Sequence, residues 1–240
     1  MNHNGTEIAR KSNSVLMFSG GLDSLIAWYY LNKPKVVHAY LGHRYGAAEY
    51  LATMRLAKKL GMDLVMERRL FLGDKETPDA YIPMRNLFLA TLGALHGDTI
   101  YMVFQKGEQA LPDRSPRFLA MASELLTFLN GRPIVVDSPF LEMTKSAMIK
   151  WYLDHGHPED VLYESFSCFD TNVRGACGQC AACFRRWIAF KNNGLPLEFR
   201  VDITKWSGIQ EYIRKIKLNE YALPRAREIE TVLRRYGLWK

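Results

Sequence analysis

The sequence predicts an α/β fold, a parallel sheet doubly wound by helices, followed by a helical C-terminal end. Strand-like and helix-like segments alternate regularly from Ser14 to Val136, which favours parallel strands joined by crossover helices. The first unit is an apolar run, a small-residue turn and a second apolar run of helical length. At 240 residues and 48% hydrophobic content the chain can bury a substantial core, roughly 70% of its unfolded surface.

The elements follow in order. Ser14 to Phe18 reads as the first strand and Leu25 to Tyr30 as its helix, with Ser19-Gly20-Gly21-Leu22-Asp23-Ser24 between them. Lys35 to Leu41 is a strand, Ala47 to Leu60 a helix and Asp63 to Met66 a strand. Asn86 to His96 reads as helix, Thr99 to Val103 as strand, Pro116 to Leu129 as helix and Pro133 to Val136 as strand. Ala181 to Asn192 is a further helix. Residues 1–199 are expected to form the main domain and residues 200–240 a basic helical extension. In such sheets ligands bind beyond the carboxyl ends of the strands. The loops to read for chemistry are therefore 19–24, 42–46, 68–86, 104–117 and 137–145.

The hexapeptide at 19–24 has the makings of a phosphate site. Gly20 and Gly21 let the backbone approach an anion, and the first N–H groups of the following helix point toward it. Ser19 and Ser24 add hydroxyl donors. Asp23 would repel phosphates unless a cation such as Mg²⁺ lies between them. A plain turn with Asp23 or Ser24 as helix cap is the simpler alternative. No Gly-x4-Gly-Lys-Ser/Thr motif occurs in the chain, so this is not a Walker A loop. Between strand and helix it resembles the PP-loop of the ATP pyrophosphatase superfamily, whose members split ATP between the α and β phosphates.

All four cysteines fall in Cys168-x8-Cys177-x2-Cys180-x2-Cys183. In a reducing compartment clustered thiols serve as metal ligands rather than disulfides. Zinc is the expected ion, and an iron–sulfur cluster is the alternative that this spacing also admits. Gly175 and Gly178 allow the chain to bend around it. Arg174, Arg185 and Arg186 would offset the negative charge of a four-thiolate centre.

These motifs, with the segments between them, resemble the 7-cyano-7-deazaguanine synthase (QueC) family over residues 14 to about 195. The resemblance lies in Pro83-Met84-Arg85-Asn86-Leu87-Phe88-Leu89, in Leu41-Gly42-His43-Arg44, and in Ser138-Pro139-Phe140 with Lys145. It continues through Glu164-Ser165-Phe166-Ser167-Cys168-Phe169 and Cys177-Gly178-Gln179-Cys180-Ala181-Ala182-Cys183. The likeness implies an ATP-dependent ligase that is Mg²⁺- and zinc-dependent and acts as a homodimer. Such an enzyme adenylates 7-carboxy-7-deazaguanine, lets ammonia displace AMP, and dehydrates the amide to the nitrile with a second ATP. Lys145 and Arg85 become candidates to stabilise phosphoryl charge, with Asp23 holding Mg²⁺. His43, Arg44 and Asn86 become candidate substrate contacts, although Asn86 is also placed to cap a helix. Phe104, Phe166 and Phe169 could sandwich the ring. Asp79, Asp113 and Glu164 compete for its guanine-like edge, Asp113 being the best placed.

One loop departs from the pattern. Family members usually carry Glu-Thr-Asp after the strand ending at Val103-Phe104, where this chain has Gln105-Lys106-Gly107. That change bears on the nitrile step or the nucleophile more than on adenylation. It leaves room for an enzyme that stops at the amide or joins the deazaguanine to a larger amine. From Arg200 to Lys240 ten Lys/Arg face five Asp/Glu, so the tail is either a docking surface for a protein or nucleic acid, or a pair of solvated amphipathic helices. A tRNA-modifying thiolase with a cysteine-bound cluster, and a non-catalytic nucleotide sensor, are the readings from other classes. No apolar run is long enough to span a membrane, and Asn2, Asn4 and Glu7 ahead of Arg10 and Lys11 do not make a signal peptide, so a cytoplasmic location is expected.

Overall fold

The computed structural model describes residues 13–170 and 175–239. Arg174 and the N-terminal residues weighed against a signal peptide lie outside them. Among the described residues five strands form one sheet: β1 (Ser14–Met17), β2 (Lys35–Ala39), β3 (Leu64–Glu67), β4 (Thr99–Tyr101) and β5 (Val135–Asp137). Their order is β3-β2-β1-β4-β5 and every pairing is parallel, with Leu16 opposite Val36 on one side and Tyr101 on the other. The chain runs outward from β1 to β3 and then crosses to β4 on the far side. The order therefore reverses between β1 and β4, and that switch point is where doubly wound sheets open a ligand crevice.

Helices α1 (Leu22–Tyr30), α2 (Gly46–Leu60), α3 (Arg85–Ala94) and α4 (Pro116–Asn130) connect the strands. Local chemistry sets their ends. Ser115 accepts from Phe118 N to cap α4, with Pro116 in its first turn, and Gly61 and Gly131 close α2 and α4 at positive φ. Two helices absent from the sequence expectation, α5 (Lys145–Asp154) and α6 (Glu159–Glu164), precede α7 (Ala181–Asn192). Strand alternation divides the core. Leu16 and Tyr101 face α1, α5 and α7 through Leu25, Met148, Tyr152 and Phe190. Val15, Met17 and Ile100 face α3 and α4 through Ala90, Ala94, Leu119 and Leu126.

The tail forms α8 (Gly208–Lys217) and α9 (Leu223–Arg235), both amphipathic as expected. Their apolar faces are not solvated, however. Ile209, Ile213, Ile229, Val232 and Leu233 join Phe184, Trp187, Ile188 and three of the cysteines in a third buried cluster. Several of the tail charges pair close at hand, Arg214 with Glu211 and Glu220 and Arg234 with Glu230. Among the described residues no helix is long and apolar enough to cross a membrane.

Candidate active site

The hexapeptide is shaped by backbone requirements. Gly20 has φ +72, and a Cβ there would stand 2.8 Å from Thr53 N and 2.9 Å from Glu49 O on α2. Gly21 N donates to Ser19 Oγ, Ser19 N donates to Ser24 Oγ, and Ser24 Oγ–H donates to Gly21 O at 3.0 Å. Helix α1 begins inside the motif, at Leu22, because Gly21 is extended. Asp23 and Ser24 thus sit in its first turn, and Leu22 is fully buried in the core. No side chain caps α1. Its leading N–H groups are free of an intrahelical partner and its positive dipole end faces the crevice, an arrangement suited to an anion.

A cleft of about 320 Å³ opens over these residues and is bounded by Ser19, Asp23 and Ser24 on the β1 side. Asp23 is held there from two sides. Its Oδ1 is ion-paired with Lys145, and its Oδ2 accepts from Gln105 Nε2 at 2.7 Å. Lys145 begins α5, where a cation is opposed by the helix dipole. Burial pulls its pKa down and the Asp23 charge counters only in part. A buried lysine at a helix N-terminus is stabilised by little except its anionic partner, which marks it for chemistry. On the next loop Glu108 accepts from Arg114 at 3.0 Å and from Gln105 N. Burial alone would raise its pKa, yet the charges of Arg114, Arg225 and Lys145 hold it below the usual value.

The β2 side is largely aromatic. His43 Nε2 lies 3.1 Å from Glu49 Oε2, and its ring meets Tyr45 edge-on at 4.2 Å. Tyr45 in turn contacts Phe169, over which the Arg185 guanidinium lies. His38 is 2% exposed, its Nδ1 2.8 Å from Phe18 O. Burial lowers its pKa, so the ring is neutral at pH 7 and its Nδ1–H donates to that carbonyl.

The cleft brings together Ser19, Asp23, Ser24, His43, Arg85, Asn86, Lys145 and Phe169 from the sequence candidates, and Phe104 lines it as well. The other candidates are engaged elsewhere. Arg44 pairs with Glu76 at 3.0 Å and donates to Pro78 O, bracing the loop ahead of α3. Asp113 accepts from Asn86 Nδ2 at 2.9 Å through its carboxylate and at 3.1 Å through its carbonyl. Asn86 is therefore no cap: the residue before α3 is Met84 at φ +58, with no side-chain cap. Phe166 contributes its N–H to Gly20 O and its side chain to a neighbouring cavity beside Arg186. Asp79 accepts from Thr77 in an exposed turn, and Glu164 pairs with Lys59. Sequence reasoning missed Glu49, Glu108, Arg114 and Arg185 as cleft residues. A Glu108–Arg114 pair of opposite charge in a loop beyond a strand end was the available signal.

The four cysteine Sγ atoms all lie within 4.8 Å of one another. Cys177 and Cys183 are 3.8 Å apart, close to the edge of a tetrahedron with metal–sulfur bonds of about 2.3 Å. A cluster would hold its cysteines farther apart, since several irons and sulfides lie between them, so the set fits a single ion such as zinc. Backbone N–H groups of Asp170 and Cys177 donate to Cys168, and that of Gln179 donates to Cys177. Gly178 has φ +75, and a Cβ there would strike Val201 O at 2.0 Å. Hydrogen bonds with Cys168 and Cys183 hold the Cys180 thiol far below the usual range, while burial pushes Cys177 up to about 11. The arginines that follow are engaged at other sites. Arg186, 4% exposed, donates to Ser165 Oγ, Ser167 Oγ and Leu162 O, and Arg185 lines the cleft.

The chain is similar to known proteins. A family model described as Queuosine biosynthesis protein QueC matches residues 54–194, more than half of the chain. The 7-cyano-7-deazaguanine synthase of Alteromonas mediterranea is 26% identical over 223 residues, covering 78% of this chain and 98% of the relative. That of Hahella chejuensis is 26% identical over 228 residues, covering 80% and 94%. The enzyme of the same name from Anaeromyxobacter sp. is 34% identical over 133 residues, which is 50% of this chain and about half, 55%, of that relative.

Proposed function

Because this chain belongs to the QueC family, we propose that it is an ATP-dependent ligase that activates the carboxylate of 7-carboxy-7-deazaguanine and converts it with ammonia toward 7-cyano-7-deazaguanine. The observation that carries the reading is Asp23, held between Lys145 and Gln105 at the uncapped N-terminus of α1, where the sheet order reverses. A carboxylate is a poor electrophile. Attack of its oxygen on the α-phosphate of ATP, with pyrophosphate leaving, gives an acyl carbon with a good leaving group. Ammonia then forms the C–N bond as AMP departs, and a second activation, on the amide oxygen, leads to the nitrile.

In this reading the N–H groups of 22–24 and the hydroxyls of Ser19 and Ser24 bind the pyrophosphate. Asp23 would hold Mg²⁺, which would supply charge neutralisation there. Lys145 exchanges Asp23 for a phosphate oxygen as nucleotide enters, and Arg85 adds a second cation. Such preorganised charge is the largest catalytic contribution expected of a phosphoryl site. Tyr45, Phe104 and Phe169 offer ring faces for a planar base. The cysteine centre holds zinc in a structural role, fixing α7 and with it Arg185.

A second reading, in which the enzyme stops at the amide or uses a larger amine, is motivated by Gln105. This residue presents an amide to Asp23, and Lys106 turns away to pair with Glu142. One experiment tests both. Protein, ATP, Mg²⁺, 7-carboxy-7-deazaguanine and ammonium are combined, and AMP and product mass are followed. Nitrile supports the full synthase, amide alone supports the second reading, and no substrate-dependent AMP sinks both. Asp23→Ala should lower AMP release by on the order of 10³-fold, and retained release would overturn the assignment of this loop.

A further inference from the structure

The tail, which lies beyond the matched family region ending at residue 194, returns to the cleft. Arg225 on α9 donates to Gly107 O at 3.3 Å. Gly107 has φ +85, and a Cβ there would stand 2.6 Å from Arg225 Cδ and 2.9 Å from Ala222 Cβ. Position 107 thus accommodates α9 only without a side chain. Three residues further along α9, Glu228 accepts from Thr144, the residue that caps α5 directly before Lys145. Arg185 donates to Tyr212 on α8, and Arg225 lies over the Tyr221 ring at 5.2 Å. The tail therefore braces three polar residues of the cleft: Gln105, Lys145 and Arg185.

Those same three residues form one side of a small cavity of about 20 Å³, and Tyr221, Arg225 and Glu228 form much of the other. This volume is close to that needed for one water-sized molecule. Its cleft-side wall includes Gln105 and Lys145, the two residues that hold Asp23. We infer that Tyr221, Arg225 and Glu228 build the nucleophile pocket of this enzyme and restrict it to a neutral amine with a single heavy atom. The inference rests on the adenylation reading above.

The chemistry is consistent with the lining. Arg185, Arg225 and Lys145 outnumber Glu228 around this space and disfavour ammonium, so the molecule admitted is neutral ammonia, the form with a free electron pair. Its nitrogen attacks the acyl carbon from beside Lys145. The C–N bond forms, the C–O bond to phosphate breaks, AMP leaves with that electron pair, and the proton shed by nitrogen passes to the Glu228 carboxylate.

The test compares ammonia with methylamine at equal concentrations of free base, using full-length protein, ATP, Mg²⁺ and 7-carboxy-7-deazaguanine. Amide, methylamide and nitrile are read by mass. Substrate-dependent exchange between ATP and labelled pyrophosphate is followed separately. The extra methyl group should lower turnover in the wild type by about 10- to 200-fold. Arg225→Ala and Tyr221→Leu should each raise the methylamine-to-ammonia ratio at least tenfold in protein that still shows exchange. Wild-type turnover of methylamine within about threefold of ammonia would overturn the pocket while leaving adenylation standing. An unchanged ratio in a variant that exchanges would do the same, and if neither variant exchanges, the wild-type ratio decides. Absence of substrate-dependent exchange in the wild type would overturn the adenylation reading, and this inference with it.

Discussion

The two sides of the cleft are built in opposite ways. The loop at Ser19 to Ser24 is six consecutive residues whose two hydroxyls bond within the segment and leave the first N–H groups of α1 for an anion. The facing wall is gathered from the loop after β4, the start of α5, the middle of α7 and the first turns of α9. Its hydrogen bonds join residues 82, 118 and 122 positions apart. An anion needs only N–H groups and a dipole, which a short strand–turn–helix supplies by itself. Discrimination among nucleophiles requires a cavity of fixed shape, and shape depends on everything packed behind it.

Metal removal is the strongest way to break this comparison. Three of the cysteines lie in the apolar cluster that joins α7 to α8 and α9, whereas β1 and α1 pack in other clusters. Chelation should cost on the order of 3–5 kcal/mol and lower the unfolding midpoint by about 10 °C. Hydrogen exchange should quicken in α7–α9 well before it does in β1 and α1. Equal acceleration in both regions would show that the loop, too, depends on the metal centre.

The same contrast explains what was legible in the sequence. Each of the five strands and the PP-loop lay where apolar runs and small-residue turns indicated, because these are local signals. Asn86 and Asp113 were singled out separately, but their bond to each other crosses 27 residues and left no local trace. The tail read as two amphipathic helices, as it is, yet amphipathicity does not say which surface the apolar face covers. Arg185 and Arg186 are adjacent in sequence but diverge, one into the cleft and one beneath the strap at Ser165–Ser167. Helical geometry separates neighbours by about 100°, and a charge count near the cysteines could not anticipate that.

Gln105→Glu sharpens the comparison at an intermediate scale, because it changes the distributed wall only where it touches the local loop. A carboxylate there would stand against Asp23 with Lys145 between them. Glu is also the residue that the family resemblance places at this position, so adenylation should tolerate it, and pyrophosphate exchange at pH 8 should stay within about tenfold of wild type. The step after adenylation should move instead, read by mass as the ratio of nitrile to amide. A loss of exchange greater than that, with the product ratio unchanged, would show that the wall is tuned around an amide at the phosphate site.

The smallest expected effect separates the two sides by pH. His38 belongs to the loop side, its Nδ1–H donating to Phe18 O directly before Ser19, with the Thr53 hydroxyl 3.1 Å away. Burial lowers its pKa below 6.5. Above pH 6.5 the ring is neutral in both folded and unfolded chains, and its contribution to stability is fully present. As pH falls from 6.5 toward the folded value, the unfolded chain binds the proton first and stability declines, by at most about 1.4 kcal/mol per pH unit for one group. His157, which burial also lowers, acts in the same direction. On the wall side the folded pKa of Glu108 lies below 4.5, so its contribution is present above that pH and is lost only as pH falls through the lower folded value. Denaturant unfolding between pH 7 and pH 5 should thus report on His38 and His157 with no contribution from Glu108. His38→Gln retains a donor for Phe18 O and removes the titration, so it should flatten the slope in that window while leaving the decline below pH 4.5 in place. An unchanged slope would assign the acid sensitivity to His157 and its aromatic neighbours Tyr29 and Tyr152 instead.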